Sequence, residues 1–218
     1  MMTHADMGST ALGLMLLLGA FHGLNPAMGW LFAVALGLQD RKGSAIGRAL
    51  VPMALGHTLA IGVVVFTAAF LGAALPLPTI RYVVAALLVG IGIRGLVWHQ
   101  HPRWVRMQVG FRDLTVWSFL MATAHGAGLM VVPVLLRIST VEAQGTLGGH
   151  SHMSTTASPL QAVLATAIHT AAYLAVTGLI AWIVYHKLGL AVLRKTWFNF
   201  DLIWGVALTA AGLITVAV

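Results

Sequence analysis

Four histidines lie within strongly apolar stretches of the sequence: His22, His57, His125 and His169. Ionisable side chains in a membrane are costly, usually face the interior of a helix bundle, and mark a functional site by default. Neutral imidazole is a good ligand for transition-metal ions. The four histidines therefore predict one shared site for a metal ion or another small substrate near the middle of the membrane. The alternative is that each makes a separate hydrogen bond that holds two helices together.

Methionines accompany these histidines. Met53 and Met121 each precede a histidine by four residues, which places both members of each pair on one helix face. Met28 and Met130 each follow a histidine within six residues. Thioether and imidazole together favour softer ions, Cu(I) above all, although methionine is also ordinary core packing. The additional candidate ligands are Asn25, Met28, Met53, Met121, Met130 and Tyr173.

Two further groups of residues bear on the metal chemistry. Tyr173 lies four residues after His169, on the same helix face, and could orient the imidazole ring of His169. A polar segment carries His150, His152 and Met153, which predict a peripheral capture site or, alternatively, a solvated linker. Cysteine is absent, and no Asp or Glu lies in the middle of an apolar segment. Thiolate sites are therefore excluded, and a carboxylate cage for Mg²⁺ or Ca²⁺ is disfavoured.

The composition is that of a membrane protein. The chain has 218 residues, of which 59% are hydrophobic and 8% charged, with a mean hydropathy of +0.92. Soluble domains carry about 25% charged residues, so a soluble enzyme and a nucleic-acid-binding protein are excluded and the lipid bilayer is the expected partner. Because residues 1–9 contain no Lys or Arg, we expect the first apolar segment to be retained rather than cleaved.

Six segments are long enough to span a bilayer, which needs about 20 apolar residues. They run from Thr10 to Gln39, Ala49 to Leu75, Tyr82 to Trp98, Leu114 to Leu136, Leu160 to Tyr185 and Thr196 to Val218. The first is too long for one straight span and contains Asn25-Pro26, so we expect a broken helix that lines a cavity. The predicted fold is an all-α integral membrane protein with six transmembrane helices in one membrane domain, 1–218.

The distribution of basic residues predicts the orientation. All of the 12 Lys and Arg residues except Arg81 and Arg137 fall in or beside the loops after the first, third and fifth segments. Such residues collect on the cytoplasmic side. We therefore expect a multi-pass protein of a bacterial-type inner membrane, with both termini and a polar loop at 139–158 outside. A homo-oligomer is an open alternative to a monomer.

The two halves of the chain, 1–98 and 99–218, resemble each other. His-Gly occurs at His22 and His125, each time in the first segment of a half, and His-Thr occurs at His57 and His169 in the next. Three spans in each half would insert the second half upside down. This arrangement is the inverted repeat of secondary transporters, whose binding sites lie where the halves meet.

Two motifs resemble a known family. The segment His22–Met28, followed by a basic loop and then Gly56–Thr58, is similar to the nickel/cobalt transporter superfamily, including its hydrogenase/urease accessory permease relatives. The resemblance covers about residues 16–62 and implies six spans, with His22 and His57 as metal contacts. Two positions depart from the family pattern, which has an acidic residue at Asn25 and a histidine at Met28. These departures favour a softer ion or a substrate that is not a metal.

Three functions therefore follow from the sequence. The first is a membrane transporter of a small substrate, with a transition-metal ion such as Cu, Ni or Co at a histidine-lined site. The second is an intramembrane metalloenzyme, because histidines can hold a metal that activates water. The third is a structural membrane subunit whose histidines only join helices.

Overall fold

The structure is a computed structural model that describes residues 4–97, 110–145, 158–188 and 200–217. Within these ranges the chain is helical apart from short turns, and they contain no strand. The helices are α1 (His4–Leu24), α2 (Trp30–Asp40), α3 (Ser44–Ala74), α4 (Leu77–Val97), α5 (Phe111–Ala124), α6 (Ala127–Gly145), α7 (Pro159–Ile183) and α8 (Phe200–Ala217). A 3-10 turn, Pro26–Met28, joins α1 to α2, and a π-helical turn, Val184–Leu188, extends α7.

Three of the described helices are long and apolar enough to cross a membrane: α3, α4, and α7 with its extension to Lys187. A fourth span results if α5 and α6, which meet at a bend of 58°, are counted together. The other apolar helices are shorter, Thr10–Leu24, Trp30–Asp40 and Leu202–Ala217. Large apolar side chains such as Phe66 and Phe70 are exposed on the surface of the bundle. Such a surface is compatible with surrounding lipid. The described part of the chain is thus all-helical, with three to four helices or helix pairs that suit a membrane, and six spans stay a prediction.

The break predicted at Asn25-Pro26 is present. The Asn25 side-chain oxygen accepts a hydrogen bond of 3.0 Å from the backbone N–H of Ala27, and so caps the 3-10 turn. Pro26 fits the first position of that turn because no backbone donor is needed there. Gly29 follows with φ 130°, a conformation that favours glycine. The regular helix of α1 is therefore interrupted here, and α2 starts at Trp30.

The fourth predicted span is also broken, which the sequence analysis did not anticipate. The helices α5 and α6 are separated at His125 and Gly126, and Gly126 has φ 70°. No proline stands at this break, whereas Pro52 and Pro133 lie inside α3 and α6 without ending them. The left-handed backbone that glycine tolerates is therefore the local cause.

Several predicted boundaries need correction. The helix α1 starts at His4 rather than Thr10, and α3 starts at Ser44 rather than Ala49. The helix α6 continues to Gly145, so the first seven residues of the predicted polar loop 139–158 are helical. The third predicted span starts earlier than expected, at Leu77 rather than Tyr82, because Pro78 is accommodated in the first helical turn.

The helices pack most extensively in three pairs, α1 with α7, α3 with α5, and α4 with α8. Glycines allow close approach in each pair. Gly19 of α1 lies against the backbone carbonyl of His169, Gly56 of α3 lies against that of Thr115, and Gly92 of α4 lies against that of Gly205. The helices α3 and α7 also contact each other. The middles of α1, α3 and α7 are thereby held together.

Charged residues mark the two ends of the bundle. At one end Gly43, next to the exposed Arg41 and Lys42, lies beside His186 at the end of α7, and Arg48 forms an exposed ion pair of 2.6 Å with Asp40. At the far end of α3, Arg81 donates hydrogen bonds of 2.6 Å to the backbone carbonyls of Thr215 and Val216. Of the predicted basic loops, the described ranges include in full only the one with Arg41 and Lys42, and the end of α7 with His186 lies beside it. The orientation in the membrane stays a prediction.

Candidate functional site

Three of the predicted histidines meet inside the bundle. His22 comes from α1, His57 from α3 and His169 from α7. The ring centroids are 4.9 Å apart for His22 and His169, 5.5 Å for His57 and His169, and 5.7 Å for His22 and His57. All three side chains have 0% exposure. We call these three residues the histidine cluster.

Most ring nitrogens of the histidine cluster have no hydrogen-bond partner in the described part of the chain. They are Nε2 of His22 and both nitrogens of His57 and of His169. The Met15 carbonyl approaches His169, but no hydrogen bond of acceptable geometry forms. An unsatisfied buried polar group costs about 1–3 kcal/mol, and native proteins satisfy nearly all of them. Five such nitrogens side by side make the histidine cluster the candidate functional site.

The protonation state of His22 follows from its hydrogen bond. Its Nδ1 lies 2.8 Å from the carbonyl oxygen of Leu18, and because a carbonyl can only accept, Nδ1 carries the proton. In the neutral ring Nε2 then presents a lone pair, the usual arrangement of a metal-ligating histidine. His125 makes the same contact of 2.8 Å with the Met121 carbonyl. The two histidines that precede the helix breaks are thus held alike.

The ring orientations are not those of an assembled metal centre. Among the residues that the structure describes, no group of three or more His, Cys, Asp or Glu side chains is arranged to hold an ion. The His57 and His169 rings are parallel within 4°, so their nitrogens do not point at one another. Metal binding requires nitrogens about 2.0–2.1 Å from the ion. The donor types fit a transition metal, and rotation of the side chains is needed to bring them to one point.

Tyr173 connects the histidine cluster to the first helix break. Its ring stacks on His57 with centroids 4.1 Å apart and an interplanar angle of 16°. Its hydroxyl donates a hydrogen bond of 2.6 Å to the backbone carbonyl of Met28. The sequence predicts that Tyr173 orients His169, whereas the ring that Tyr173 stacks on in the structure is His57.

His125 lies outside the histidine cluster, on the other side of Trp204. The Trp204 ring centroid is 4.5 Å from that of His22 and 5.5 Å from that of His125. Its indole N–H donates a hydrogen bond of 2.9 Å to the His125 carbonyl at the second helix break. Trp204 was not among the site residues predicted from the sequence. The available signal was an indole N–H within an apolar segment, where it needs an acceptor.

Indole and phenol donors also occupy the carbonyls freed at the first helix break. Trp30 donates to the Leu24 carbonyl at 3.2 Å, and Trp117 donates to the Ala27 carbonyl at 3.3 Å. With Tyr173 on Met28, these contacts engage three carbonyls around the break. These hydrogen bonds stabilise the break.

The other candidate ligands have mixed placements. Met28 and Met130 are buried in one apolar cluster with Tyr173 and Trp204, and Met121 packs against it. Met53 is buried in a different cluster with residues of α2, and its sulfur lies against Gly29. Asn25 uses its oxygen to cap the 3-10 turn, while its side-chain nitrogen has no partner among the described residues.

The predicted peripheral capture residues His150, His152 and Met153 lie outside the described residues. Comparison of the chain with protein-family models, with curated proteins and with solved structures gave no match. A functional assignment therefore depends on the geometry of the site.

Proposed function

We propose that the protein is a membrane transporter of a transition-metal ion that binds at His22, His57 and His169. The observation that carries this proposal is the convergence of three fully buried imidazoles from three helices, with five ring nitrogens that have no partner in the described part of the chain. Burying these neutral nitrogens without hydrogen bonds costs free energy, and an ion bound to them would offset that cost. Because three separate helices supply the donors, binding and helix movement are linked.

The helix packing supports two inverted halves. In two inverted halves, α1 would correspond to α5, α3 to α7 and α4 to α8. Swapping each helix for its counterpart turns the pair α1–α7 into the pair α5–α3, and it leaves the pair α4–α8 unchanged. These are the three most extensive helix pairs. The first helix of each half is broken within three residues of a histidine that bonds back to its own helix. We therefore infer six spans, in which α1–α2 and α5–α6 are each one broken span, and alternating access at the histidine cluster.

The donor set favours a borderline or soft ion. Imidazole nitrogen suits Ni²⁺, Cu⁺ or Cu²⁺ and related ions, whereas hard cations prefer oxygen. The resemblance of His22–Met28 to nickel/cobalt transporters favours Ni²⁺ or Co²⁺, and Met28 in place of a histidine favours Cu⁺. We propose that the end with Arg41 and Lys42 faces the cytoplasm, in a bacterial-type inner membrane.

The test measures binding and transport with the same variants. Ni²⁺, Co²⁺ and Cu⁺ are titrated into the purified protein in detergent, and their flux is followed in proteoliposomes. His57→Ala removes one ligand and should weaken binding by about tenfold or more and abolish flux. His186→Ala is the matched control, because His186 is an exposed histidine at the end of α7. Equal binding and flux for wild type and His57→Ala would overturn the proposal.

The second candidate is an intramembrane metalloenzyme, and the observation that favours it is the complete burial of the three imidazoles. Three histidines can hold a resident metal with one open position, which activates a bound water. A stoichiometric metal that survives purification, together with no flux, would favour this enzyme. Absence of any bound metal would leave the structural subunit.

A further inference from the structure

The histidine cluster is closed, and one aromatic ring separates it from a more open histidine. The imidazoles of the cluster have 0% exposure, whereas His125 is only partly buried. Trp204 contacts both His22 and His125 through its ring. A route from the cluster to the surface through His125 must therefore pass Trp204.

Trp204 is held in this position by two contacts. Its ring stacks on Phe21 with centroids 4.9 Å apart and an interplanar angle of 7°. Its N–H bonds to the carbonyl of His125, which is the last residue before the left-handed Gly126. A change of backbone angle at the second break would therefore remove the acceptor of this hydrogen bond and free the indole to turn.

We propose that Trp204 is an access-controlling residue, the gate between the histidine cluster and a route that leads outward past His125. This inference rests on the proposed function as a transporter. The closed gate excludes water and ions from the cluster. When the bend between α5 and α6 changes, the ring moves aside, and a cation passing its face is attracted by the aromatic quadrupole. One half of the molecule thus controls access to ligands that come mainly from α1 and α3.

The experiment measures access with and without a metal. The first readout is the rate at which diethyl pyrocarbonate, a small imidazole reagent, modifies His22, His57 and His169, followed by peptide mass spectrometry. The second readout is the rate at which bound Ni²⁺ exchanges with an isotope in solution. Both use the full chain in detergent. The variants are Trp204→Leu, which removes the ring, and Trp204→Phe, which keeps a ring but loses the N–H.

Trp117→Leu is the matched control. Trp117 also donates its indole N–H to a carbonyl at a helix break, and its ring stacks edge-on against Phe32 rather than a histidine. We expect Trp204→Leu to raise modification and exchange rates by about tenfold, as expected when a gate is removed. Trp204→Phe keeps a ring but loses the hydrogen bond to the His125 carbonyl, so its rates should rise less than those of Trp204→Leu. Trp117→Leu should stay close to wild type.

Several results would overturn the gate. Unchanged rates in Trp204→Leu would do so, and equal acceleration in Trp117→Leu would show general loosening instead. Acceleration in Trp204→Phe equal to that in Trp204→Leu would exclude the ring itself as the barrier. Failure of the gate and failure of the transporter are distinguishable, because modification by the reagent requires no metal. If the wild type binds no metal but Trp204→Leu exposes the histidines, the gate stands and the transporter proposal fails.

Discussion

At the scale of single residues, each ring of the histidine cluster is held by a different neighbour. His22 bonds to its own helix, His57 stacks on Tyr173, and His169 stacks on His57. The positions of these histidines within apolar segments were readable from the sequence. The separation of His125 from the other three was not, because it depends on the size of Trp204, which comes from a helix remote in the chain.

The role of Met28 can be tested without changing the packing. Met28→Leu keeps the apolar volume and removes the sulfur. If the thioether is a ligand, this variant should weaken Cu⁺ binding by about tenfold or more, and Met28→Asp should shift the preference toward Ni²⁺ or Co²⁺. Competitive titration measures both effects. Met53→Leu is the control, since Met53 is equally buried in a different apolar cluster. Cu⁺ binding by Met28→Leu at wild-type strength would make Met28 a packing residue.

Tyr173→Phe separates the hydroxyl of Tyr173 from its ring. The Met28 carbonyl loses its donor, so the free energy of unfolding should fall by about 1 kcal/mol. The aromatic stacking on His57 remains, and metal affinity should therefore change little. Thermal unfolding in detergent measures the first effect, with the exposed Tyr82→Phe as the control. A melting temperature equal to that of the wild type would show that the hydrogen bond does not stabilise the break.

At the scale of helices, the two breaks differ in how visible they are in the sequence. Asn25-Pro26 combines a capping side chain with a residue that lacks a backbone donor, and this predicts a break. The break after His125 has only Gly126 as its signal, and glycine is common throughout this chain, which has 24. Its position is fixed by tertiary contacts, in particular the indole of Trp204 on the His125 carbonyl.

Close helix packing should be sensitive to a single methyl group. In Gly19→Ala the added carbon meets the backbone carbonyl of His169, and in Gly56→Ala it meets that of Thr115. Backbone cannot rotate away as a side chain can, so each substitution should lower the free energy of unfolding by about 1–3 kcal/mol. Gly19→Ala should also weaken metal binding, because it displaces the helix that carries His169.

The controls for this prediction are other glycines of the same two helices. A carbon added at Gly13 or Gly62 meets no atom within 4 Å. Gly13→Ala and Gly62→Ala should therefore leave the unfolding temperature unchanged or raise it, since alanine favours helix by up to about 1 kcal/mol. Destabilisation of these variants as large as that of Gly19→Ala would contradict the packing described here.

At the scale of the whole molecule, the composition predicts a membrane protein, and the apolar helices of the structure are compatible with that prediction. The number of spans is less accessible, because both breaks divide predicted spans into helices too short to count singly. The topology is therefore predicted from the alternation of loops that contain basic residues with loops that do not. Because the chain has no native cysteine, single cysteines at Gly43 and Gly149 can report it. They should react with a membrane-impermeant thiol reagent from opposite sides, Gly149 from outside. Reaction of both from one side would contradict six spans in two inverted halves.

The most direct test of the central claim is X-ray absorption at the metal edge of the purified protein, loaded with whichever of Ni²⁺, Co²⁺ or Cu⁺ binds most tightly. We predict nitrogen neighbours at about 2.1 Å, with the outer-shell scattering of three imidazoles from His22, His57 and His169. We also predict one imidazole fewer in His57→Ala and no change in His186→Ala. An ion surrounded only by oxygen, or the same imidazole count in wild type and His57→Ala, would contradict a metal site at the histidine cluster.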